Sequence, residues 1–454
     1  MTLPFILLTL ALGACGADTG PGAGADTGSG ADAGPDVLLD TDAAPDAEAD
    51  TLLAPDTVAP SDTATPADTT TPADTAAPTD TTTPADTVAP TDTVAPTDTA
   101  GPKCLTLSPG HARHVVLAYP YAVGSLLDVW SVRPLLADGA LGAPNATFSM
   151  GAAATGVVAF SPDGGLGFAA ATNGGTFGVF ALDADGQSTV LAAAHDSGVD
   201  VGAVLVDGDR LLLVSPDWAE SGGGVYAAPY DCAGAVGTPT LLYGSKNAAA
   251  LLPYGNDQLL IARAAGDATF GHLHWLRQGT SGWARVAGAD LFGNDQAALS
   301  ALAVTVDGRY ALVGDNSEYS DFDNSIGVAV LGSDTVTALP TLPFNDPFAF
   351  VVSPHGDAVL VVSGYGNAVH VLAYDPGAAT PFVDAGEPAY VTARPALPGD
   401  AVLVGGDQPD VVLVVENKAI RRFRFDGGGL VTDLGRTAAG TGIGAIPGAI
   451  GVQP

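Results

Sequence analysis

Basic residues are scarce in this chain. Its 454 residues include 15 Lys and Arg against 50 Asp and Glu, which gives a formal net charge of −35 at pH 7. Because nucleic-acid binding needs clustered basic side chains that neutralise phosphates, nucleic acid is not an expected partner. The one basic cluster, Arg421, Arg422 and Arg424, lies on a single predicted strand, where pairing with nearby acids is the simpler interpretation.

Positive charge and aromatic side chains are absent altogether from one long segment. Residues 16–102 hold seventeen acids and no Lys, Arg, His or aromatic residue. Such a segment cannot bury enough apolar surface to offset the entropy of ordering it, so it is predicted to be disordered. The remaining residues, 103–454, keep 33 acids against all 15 bases. Only this part of the chain is expected to fold.

The acidic segment is repetitive. From Asp56 onward the unit Asp-Thr-x-x-Pro-x occurs eight times. No apolar residue recurs at a fixed position, so a β-helix is not expected, and regular Pro favours extended polyproline II conformation instead. Residues 15–102 are therefore interpreted as a disordered Asp/Thr/Pro/Ala-rich stalk.

No stretch of the chain has the length of a transmembrane helix. The apolar run from Leu3 to Leu12 has the length of a signal peptide and leads into Leu12-Gly13-Ala14-Cys15. This pattern resembles the lipobox of bacterial lipoproteins. The resemblance implies a signal peptide over residues 1–14, a membrane anchor through lipid on Cys15, and a place in the cell envelope, at the outer membrane or cell surface.

Cysteine is rare, with Cys104 and Cys232 the only others in the chain. In an exported protein such a pair could form a disulfide. Spacing in sequence does not show whether the two residues lie within bridging distance, so both states remain open.

The folded region lacks helical periodicity and instead repeats a short apolar strand. Seven copies, about fifty residues apart, begin at His114, Leu166, Arg210, Gln258, Arg309, Ala358 and Val411. Each is followed by a second strand, and turns such as Ser161-Pro162-Asp163-Gly164 often precede the first.

A four-stranded repeat of this length is typical of a β-propeller, whose sheets (blades) pack radially around an axis. The sequence therefore predicts an all-β, seven-bladed propeller over residues 103–454. The strand near Ile446 to Val452 is expected to close the ring by joining the blade that starts at His114. Cys104 to Leu107 is the alternative for that position.

The succession of apolar strand, SPDG turn, apolar strand and hairpin resembles the YVTN-type and lactonase-like seven-bladed propellers. The pattern covers residues 103–454 and is strongest over Val157 to Gly186 and Phe348 to Asp375. These relatives include 6-phosphogluconolactonase-like enzymes and surface proteins with no known reaction. The resemblance implies the fold. No catalytic motif of these relatives is recognisable in the sequence, so the resemblance assigns no catalytic residue.

Loops after the first strand of each repeat should emerge together on one rim. This rim would be acidic and aromatic, which suits sugars or cationic groups. The candidate ligand residues are Tyr119, Tyr121, Trp218, Glu220, Tyr365 and Asn367.

One rim loop is rich in oxygen ligands of the kind that calcium binds. They are Asp315, Asn316, Glu318, Asp321, Asp323 and Asn324. The spacing does not follow an EF-hand, because Ile326 stands where that loop needs Gly, and a solvated loop is the alternative. His272 and His274 share one side of a strand, but zinc needs a third ligand, so a structural role is expected.

Two functions follow from this organisation. The first is a monomeric binding or interaction module displayed on the stalk, with a glycan, peptide or envelope protein as partner. The alternative is a lactonase-like or other hydrolytic enzyme with its site at the propeller axis. The alternative requires polar side chains that converge at the channel.

Overall fold

The structure is a computed structural model that describes eleven stretches of the chain. They are residues 107–108, 110–119, 129–150, 158–170, 176–216, 222–264, 271–293, 299–316, 324–364, 366–440 and 446–454. The described residues form β-strands and no α-helix. Accordingly, no helix long and apolar enough to cross a membrane occurs among them. The predicted signal peptide, Cys15 and the stalk lie outside the described residues.

The strands form seven antiparallel sheets in chain order. Blade 1 contains β1 (His114–Tyr119), β2 (Val129–Pro134) and β3 (Ala146–Ser149). Blade 2 contains β4 (Val158–Phe160), β5 (Leu166–Ala170), β6 (Thr176–Leu182) and β7 (Ser188–Asp196). Blade 3 contains β8 (Ala203–Asp207), β9 (Arg210–Ser215), β10 (Gly224–Pro229) and β11 (Thr240–Gly244). Blade 4 contains β12 (Ala248–Pro253), β13 (Gln258–Arg263), β14 (Leu273–Gly279) and β15 (Gly282–Ala289).

The remaining blades follow the same order. Blade 5 contains β16 (Leu299–Val304), β17 (Tyr310–Asp315), β18 (Ser325–Leu331) and β19 (Val336–Ala338), with the short β20 (Leu342–Pro343) also paired to β18. Blade 6 contains β21 (Pro347–Val352), β22 (Ala358–Ser363), β23 (Ala368–Tyr374) and β24 (Phe382–Asp384). Blade 7 contains β25 (Ala401–Gly405), β26 (Gln408–Glu416), β27 (Ala419–Gly427) and β28 (Leu430–Ala438). The last strand, β29 (Ala449–Val452), pairs with β1 in blade 1.

We name the four strand positions of each blade A to D, from the axis outward. The seven A strands, β4, β8, β12, β16, β21, β25 and β29, contact one another in a closed cycle. An apolar cluster lies between every pair of neighbouring blades, seven in all. The predicted seven-bladed propeller is therefore confirmed.

The B strands read as continuous apolar runs because both of their faces are covered. In β22, Leu360 and Val362 pack toward blade 7, whereas Val359 and Val361 pack toward blade 5. Successive side chains of a strand point to opposite sides, so two buried faces require apolar residues at every position. This explains why these strands carried the repeat signal.

The C-terminal strand closes the ring, as predicted. β29 pairs antiparallel with β1 through Val115 with Val452 and Ala118 with Ala449. The Arg113 guanidinium donates to the carbonyl oxygens of Gln453, Gly405 and Val404 at 2.8, 2.9 and 2.6 Å. The fully buried Gln453 side chain also donates to Gly164 O at 2.9 Å. The closing strand is thus tied to blades 7 and 2 as well as to blade 1.

The turns between A and B strands satisfy their own polar groups. In three blades a hydroxyl at the start of the turn donates to the acid that follows it, in the pairs Ser161–Asp163, Thr305–Asp307 and Ser353–Asp357. Glycines with φ near +70° complete these turns at Gly164, Gly308 and Gly356. We call the face of the ring that carries these turns the A–B face. The opposite face, with the B–C loops and the connections between blades, is the B–C face.

Candidate functional site

Most residues of the predicted aromatic and acidic rim lie outside the described residues. They are Tyr121, Trp218, Glu220 and Tyr365, together with Glu318, Asp321 and Asp323 of the predicted calcium loop. The rim and the calcium site therefore remain predictions for these positions.

Two predicted rim residues are described. Tyr119 is 5% exposed and belongs to the apolar cluster between blades 7 and 1, where its hydroxyl donates to Ala439 O at 3.4 Å. Asn367 is partly buried, and its Oδ1 accepts the Leu397 N–H at 2.7 Å. In this arrangement both side chains contact the propeller itself.

Three residues of the predicted calcium loop are described. Asp315 is fully buried at the end of β17 and pairs across the sheet with Ser325, the first residue of β18. Asn316 and Asn324 flank the part of the loop outside the described residues. Within the described part of the chain, no group of three or more His, Cys, Asp or Glu side chains is arranged to hold a metal ion.

Cys232 is exposed in the turn between β10 and β11 and is disulfide-bonded. Cys104 lies outside the described residues, so its pairing with Cys232 stays a prediction. Leu107, three residues further along, lies beside Gly164 in the A–B turn of blade 2. The chain thus enters the propeller on the A–B face, where the turn that carries Cys232 also lies.

The basic cluster is paired with acids, as interpreted from the sequence. Arg421 is fully buried and donates to Glu416 at 3.0 Å and to Asp433 at 2.7 Å. The other two arginines form the ion pairs Arg422–Asp138 and Arg424–Asp426. Their charges therefore stabilise blade 7 and its contact with blade 1.

The two histidines of blade 4 contact different partners. His272 Nδ1 lies 2.9 Å from an Asp290 carboxylate oxygen. His274 Nδ1 lies 3.3 Å from the Tyr243 hydroxyl, and its Nε2 lies within 3.4 Å of Arg263 and Arg285 nitrogens. A nitrogen that accepts from arginine carries no proton, so the geometry favours Nδ1–H as the His274 tautomer.

The A strands that line the channel are almost entirely apolar. Within their described bounds, the only charged residue is Asp207 at the end of β8, and it pairs with Arg210. Polar side chains meant to converge on a ligand are therefore not found along the channel walls described here. Polar residues do occur at the channel mouth on the B–C face.

Three polar residues directly precede A strands at this mouth. They are Asn247 before β12, Asp346 before β21 and Asp400 before β25. Asn247 and Asp346 adopt left-handed backbone conformations with φ of 56° and 52°. Two other blades carry Gly202 and Gly448 at this place. Sequence reasoning missed the three polar residues, although a polar residue in place of Gly before an inner strand is a readable signal.

Asp400 joins two blades at the mouth. Its carboxylate accepts N–H groups from Ile450 in β29 at 3.0 Å and from Ala401 in β25 at 2.8 Å. Burial raises the pKa of the Asp400 carboxyl to about 6, although the two backbone N–H groups oppose this change. At about pH 6 the Asp400 carboxyl is therefore half ionised.

Buried hydroxyl and amide oxygens that lack partners lie mostly on the same face. Among the described residues, six buried hydroxyl or amide oxygens have no hydrogen-bond partner, and five of them lie on the B–C face. These five belong to Ser215, Ser245, Asn247, Asn324 and Asn417, and the sixth is Gln408 Oε1. Because a buried oxygen without a partner costs about 1–3 kcal/mol, each marks a place that water or ligand can complete.

The propeller fold recurs among solved structures. The periplasmic gluconolactonase PpgL of Pseudomonas aeruginosa is 15% identical with a TM-score of 0.53, and the match covers 75% of this chain and 99% of that one. A Bacteroides uniformis protein provisionally assigned as a 6-phosphogluconolactonase is 12% identical with a TM-score of 0.57 and the same coverage. A functionally unknown protein from Desulfotomaculum acetoxidans is 17% identical with a TM-score of 0.51.

At the level of sequence, no protein-family model and no curated protein matches the chain significantly. The likeness to these solved structures therefore shows the fold and nothing beyond it. The chain is an all-β seven-bladed propeller with structural neighbours of the lactonase type.

Proposed function

We propose that the propeller hydrolyses a lactone at the channel mouth on its B–C face. The observation that carries this proposal is Asp400, a carboxyl with a pKa of about 6 placed where two inner strands meet. A general base is most effective when its pKa lies near the working pH. The fold shared with the gluconolactonase PpgL supports lactones as the substrate class.

The chemistry requires one proton transfer in each direction. The ionised Asp400 takes a proton from water, whose oxygen attacks the lactone carbonyl carbon. The ring C–O bond then breaks, and the leaving alkoxide receives the proton from Asp400. The product is a hydroxy acid, and no metal or cofactor is needed for the balance.

Charge indicates which lactones to test first. The folded region carries 33 acids against 15 bases, and two acids stand at the mouth itself. A phosphorylated lactone would be repelled by this field, whereas an uncharged sugar lactone would not. Gluconolactone and other neutral aldonolactones are therefore the preferred substrates.

The test is lactone hydrolysis by the full chain, followed in a pH-stat with the spontaneous rate subtracted. We expect the rate to rise with pH through about 6 as Asp400 ionises, and Asp400→Asn to lower kcat by about 10²-fold or more. Asp207→Asn is the matched control, an acid at the opposite end of an inner strand. An unchanged rate and pH profile in Asp400→Asn would refute the proposed role.

The unpartnered oxygens on the B–C face also support a second candidate, a binding module without catalysis. Such groups can be completed by a ligand that does not react. Binding of a lactone or its hydroxy acid without turnover by the wild-type chain would select this function.

We also propose that the protein works outside the cytoplasm, held to the membrane by lipid on Cys15. The Leu12-Gly13-Ala14-Cys15 pattern supports this location. The disulfide at Cys232 supports it independently, because such bonds persist in oxidising compartments. A glycan, peptide or envelope protein at the rim would suit the same setting.

A further inference from the structure

The turn between β10 and β11 is where blade 3 carries a disulfide. Cys232 lies in this turn, is exposed and is disulfide-bonded. The Asp231 carboxylate accepts the Ala233 and Ala235 N–H groups, both at 2.9 Å. The Gly234 N–H donates to Asp231 O, also at 2.9 Å. Because its polar groups are bonded within the turn, the Cys232 backbone has a fixed position.

This turn packs against blade 2. A Cβ atom on Gly234 would lie 2.6 Å from the Leu191 side chain and 3.5 Å from the Leu166 side chain. The rings of Tyr230 and Phe168 lie 5.0 Å apart. The turn that carries Cys232 therefore lies beside the start of β5, which directly follows the A–B turn of blade 2.

The entering chain reaches the same A–B turn. A Cβ atom on Gly164 would lie 3.4 Å from the Leu107 side chain. Cys104 stands three residues before Leu107, and three residues span at most about 11 Å. Leu107 and the turn of Cys232 both lie beside residues 164–166, so the length of chain places Cys104 within reach of Cys232.

We propose that Cys104 and Cys232 are bonded to each other and that this disulfide attaches the stalk to blade 3. The chain has three cysteines, and Cys15 is separated from the propeller by the stalk. When the S–S bond forms, the two thiols lose two protons and two electrons, and a disulfide-exchange oxidant of the exported compartment is reduced to two thiols. The inference rests on the proposed location outside the cytoplasm and is independent of Asp400.

The bond determines which strands bear a pull on the stalk. Without it, the tether continues through Leu107 into β1, the strand that pairs with the closing strand β29. At this end of the pair the Gln453 N–H donates to His114 O at 2.9 Å. A pull on β1 would therefore open the antiparallel pairs one after another from this end. With the disulfide, the pull passes from Cys104 into the turn of blade 3 and does not act on the closing strand.

Peptide mapping tests the bond. The full chain is purified from an exporting host, unfolded in the presence of a thiol-alkylating reagent and digested without reductant. We expect mass spectrometry to find one cross-linked pair of peptides, which contain Cys104 and Cys232, and neither residue alkylated. Alkylated Cys104, or Cys232 bonded to Cys15 or to a second chain, would overturn the pairing. The acyl group on Cys15 is read in the same spectra, so failure of the anchor and failure of the disulfide are distinguishable.

A force measurement tests the attachment. The full chain is pulled between the N-terminal end of the stalk and a handle on the exposed Val383 of blade 6. We expect Cys104→Ser to begin unfolding at lower force than wild type. The variant should also release about 450 Å more chain, because about 128 residues are no longer closed in a loop.

Ser108→Ala is the matched control, since it changes an exposed residue of the entering chain and keeps both cysteines. It should behave as wild type, and reductant should give wild type the behaviour of Cys104→Ser. Equal released lengths in wild type and Cys104→Ser would overturn the bond. Equal forces at the first unfolding event would overturn the role of the disulfide in attaching the stalk.

Discussion

Arg421 shows how a single residue organises a blade. All of its guanidinium nitrogens donate, to Glu416, Asp433, Thr392 Oγ1 and the Ala393 carbonyl. The last two partners belong to the connection between blades 6 and 7, which leads to Asp400. A fully paired buried charge of this kind fixes a segment in place, at the cost of removing three charges from water.

Arg421→Ala is expected to lower the free energy of unfolding by about 3–5 kcal/mol, because the variant leaves the buried Asp433 carboxylate without a counter-charge and Glu416 with Arg436 alone. Arg424→Ala removes an exposed pair with Asp426 on the same strand and should cost under about 1 kcal/mol. Urea unfolding of the two variants checks this. Equal losses of unfolding free energy in the two variants would show that burial of the Arg421 ion pairs does not determine their contribution to stability.

The pKa of Asp400 gives stability a pH dependence of known sign. The folded value, about 6, lies above the ordinary value of 3.8, so the folded protein holds the proton more tightly than the unfolded chain does. The contribution of Asp400 to the free energy of unfolding is therefore greatest below about pH 4 and falls as the pH rises through 6. Above that range this contribution has decreased by about 3 kcal/mol.

Asp400→Asn should remove this dependence. Between pH 4 and pH 7 we expect the free energy of unfolding to fall more in the wild-type protein than in Asp400→Asn. Urea unfolding of both proteins at each pH measures this difference. Parallel pH curves for the two proteins would contradict the raised pKa.

At the scale of elements, ring closure depends on β29. The strand supplies the innermost position of blade 1, and Arg113 and Gln453 hold it against blades 7 and 2. No other described strand pairs with that edge of β1. Without β29, two apolar interfaces would lose their inner edge.

A chain that ends at Gly448 is therefore expected to lose cooperative unfolding and the native near-ultraviolet circular dichroism signal. Removal of the exposed Pro454 alone should leave both unchanged. A truncated protein that unfolds with the wild-type midpoint would mean that the ring closes by another route.

The elements that the sequence predicted well are those that repeat. The B strands were visible because two covered faces demand apolar residues throughout, and the A–B turns because their Ser, Asp and Gly residues satisfy local geometry. The three mouth residues, Asn247, Asp346 and Asp400, were missed. Each is a polar residue directly before an inner strand, where two other blades carry Gly. Their grouping at one mouth, however, arises only when the ring brings the starts of the inner strands together.

Tyr119 shows a second reason why site prediction is harder than fold prediction. Its place at the end of a B strand suggested a rim, and the strand does end on the B–C face. Its ring, however, points into the cluster between blades 7 and 1. Both sides of a B strand are buried, so position along the strand does not reveal which residues a ligand can reach.

At the scale of the whole molecule, the proposed attachment and the proposed site lie on opposite faces of the propeller. Leu107 and Pro454 both lie beside Gly164 in an A–B turn. Asp400 and five of the unpartnered oxygens flank the connections or loops of the B–C face. A propeller anchored through the residues before Leu107 can therefore keep its proposed site open to solutes.

The proposed anchor predicts where the protein fractionates. Expressed in a Gram-negative host, the full chain should be recovered with membranes, and mass spectrometry should find the mature N-terminus at an acylated Cys15. Cys15→Ser should move the protein to the soluble fraction, while Cys104→Ser should leave it with membranes. Membrane recovery of Cys15→Ser would contradict lipid anchoring.

We expect ligand to bind on the B–C face, and hydrogen–deuterium exchange of the full chain with and without gluconolactone measures where it binds. Exchange should be slower with gluconolactone in the connections before β12, β21 and β25 and unchanged in the A–B turns. Protection confined to the A–B turns, or no protection anywhere at saturating lactone, would contradict it.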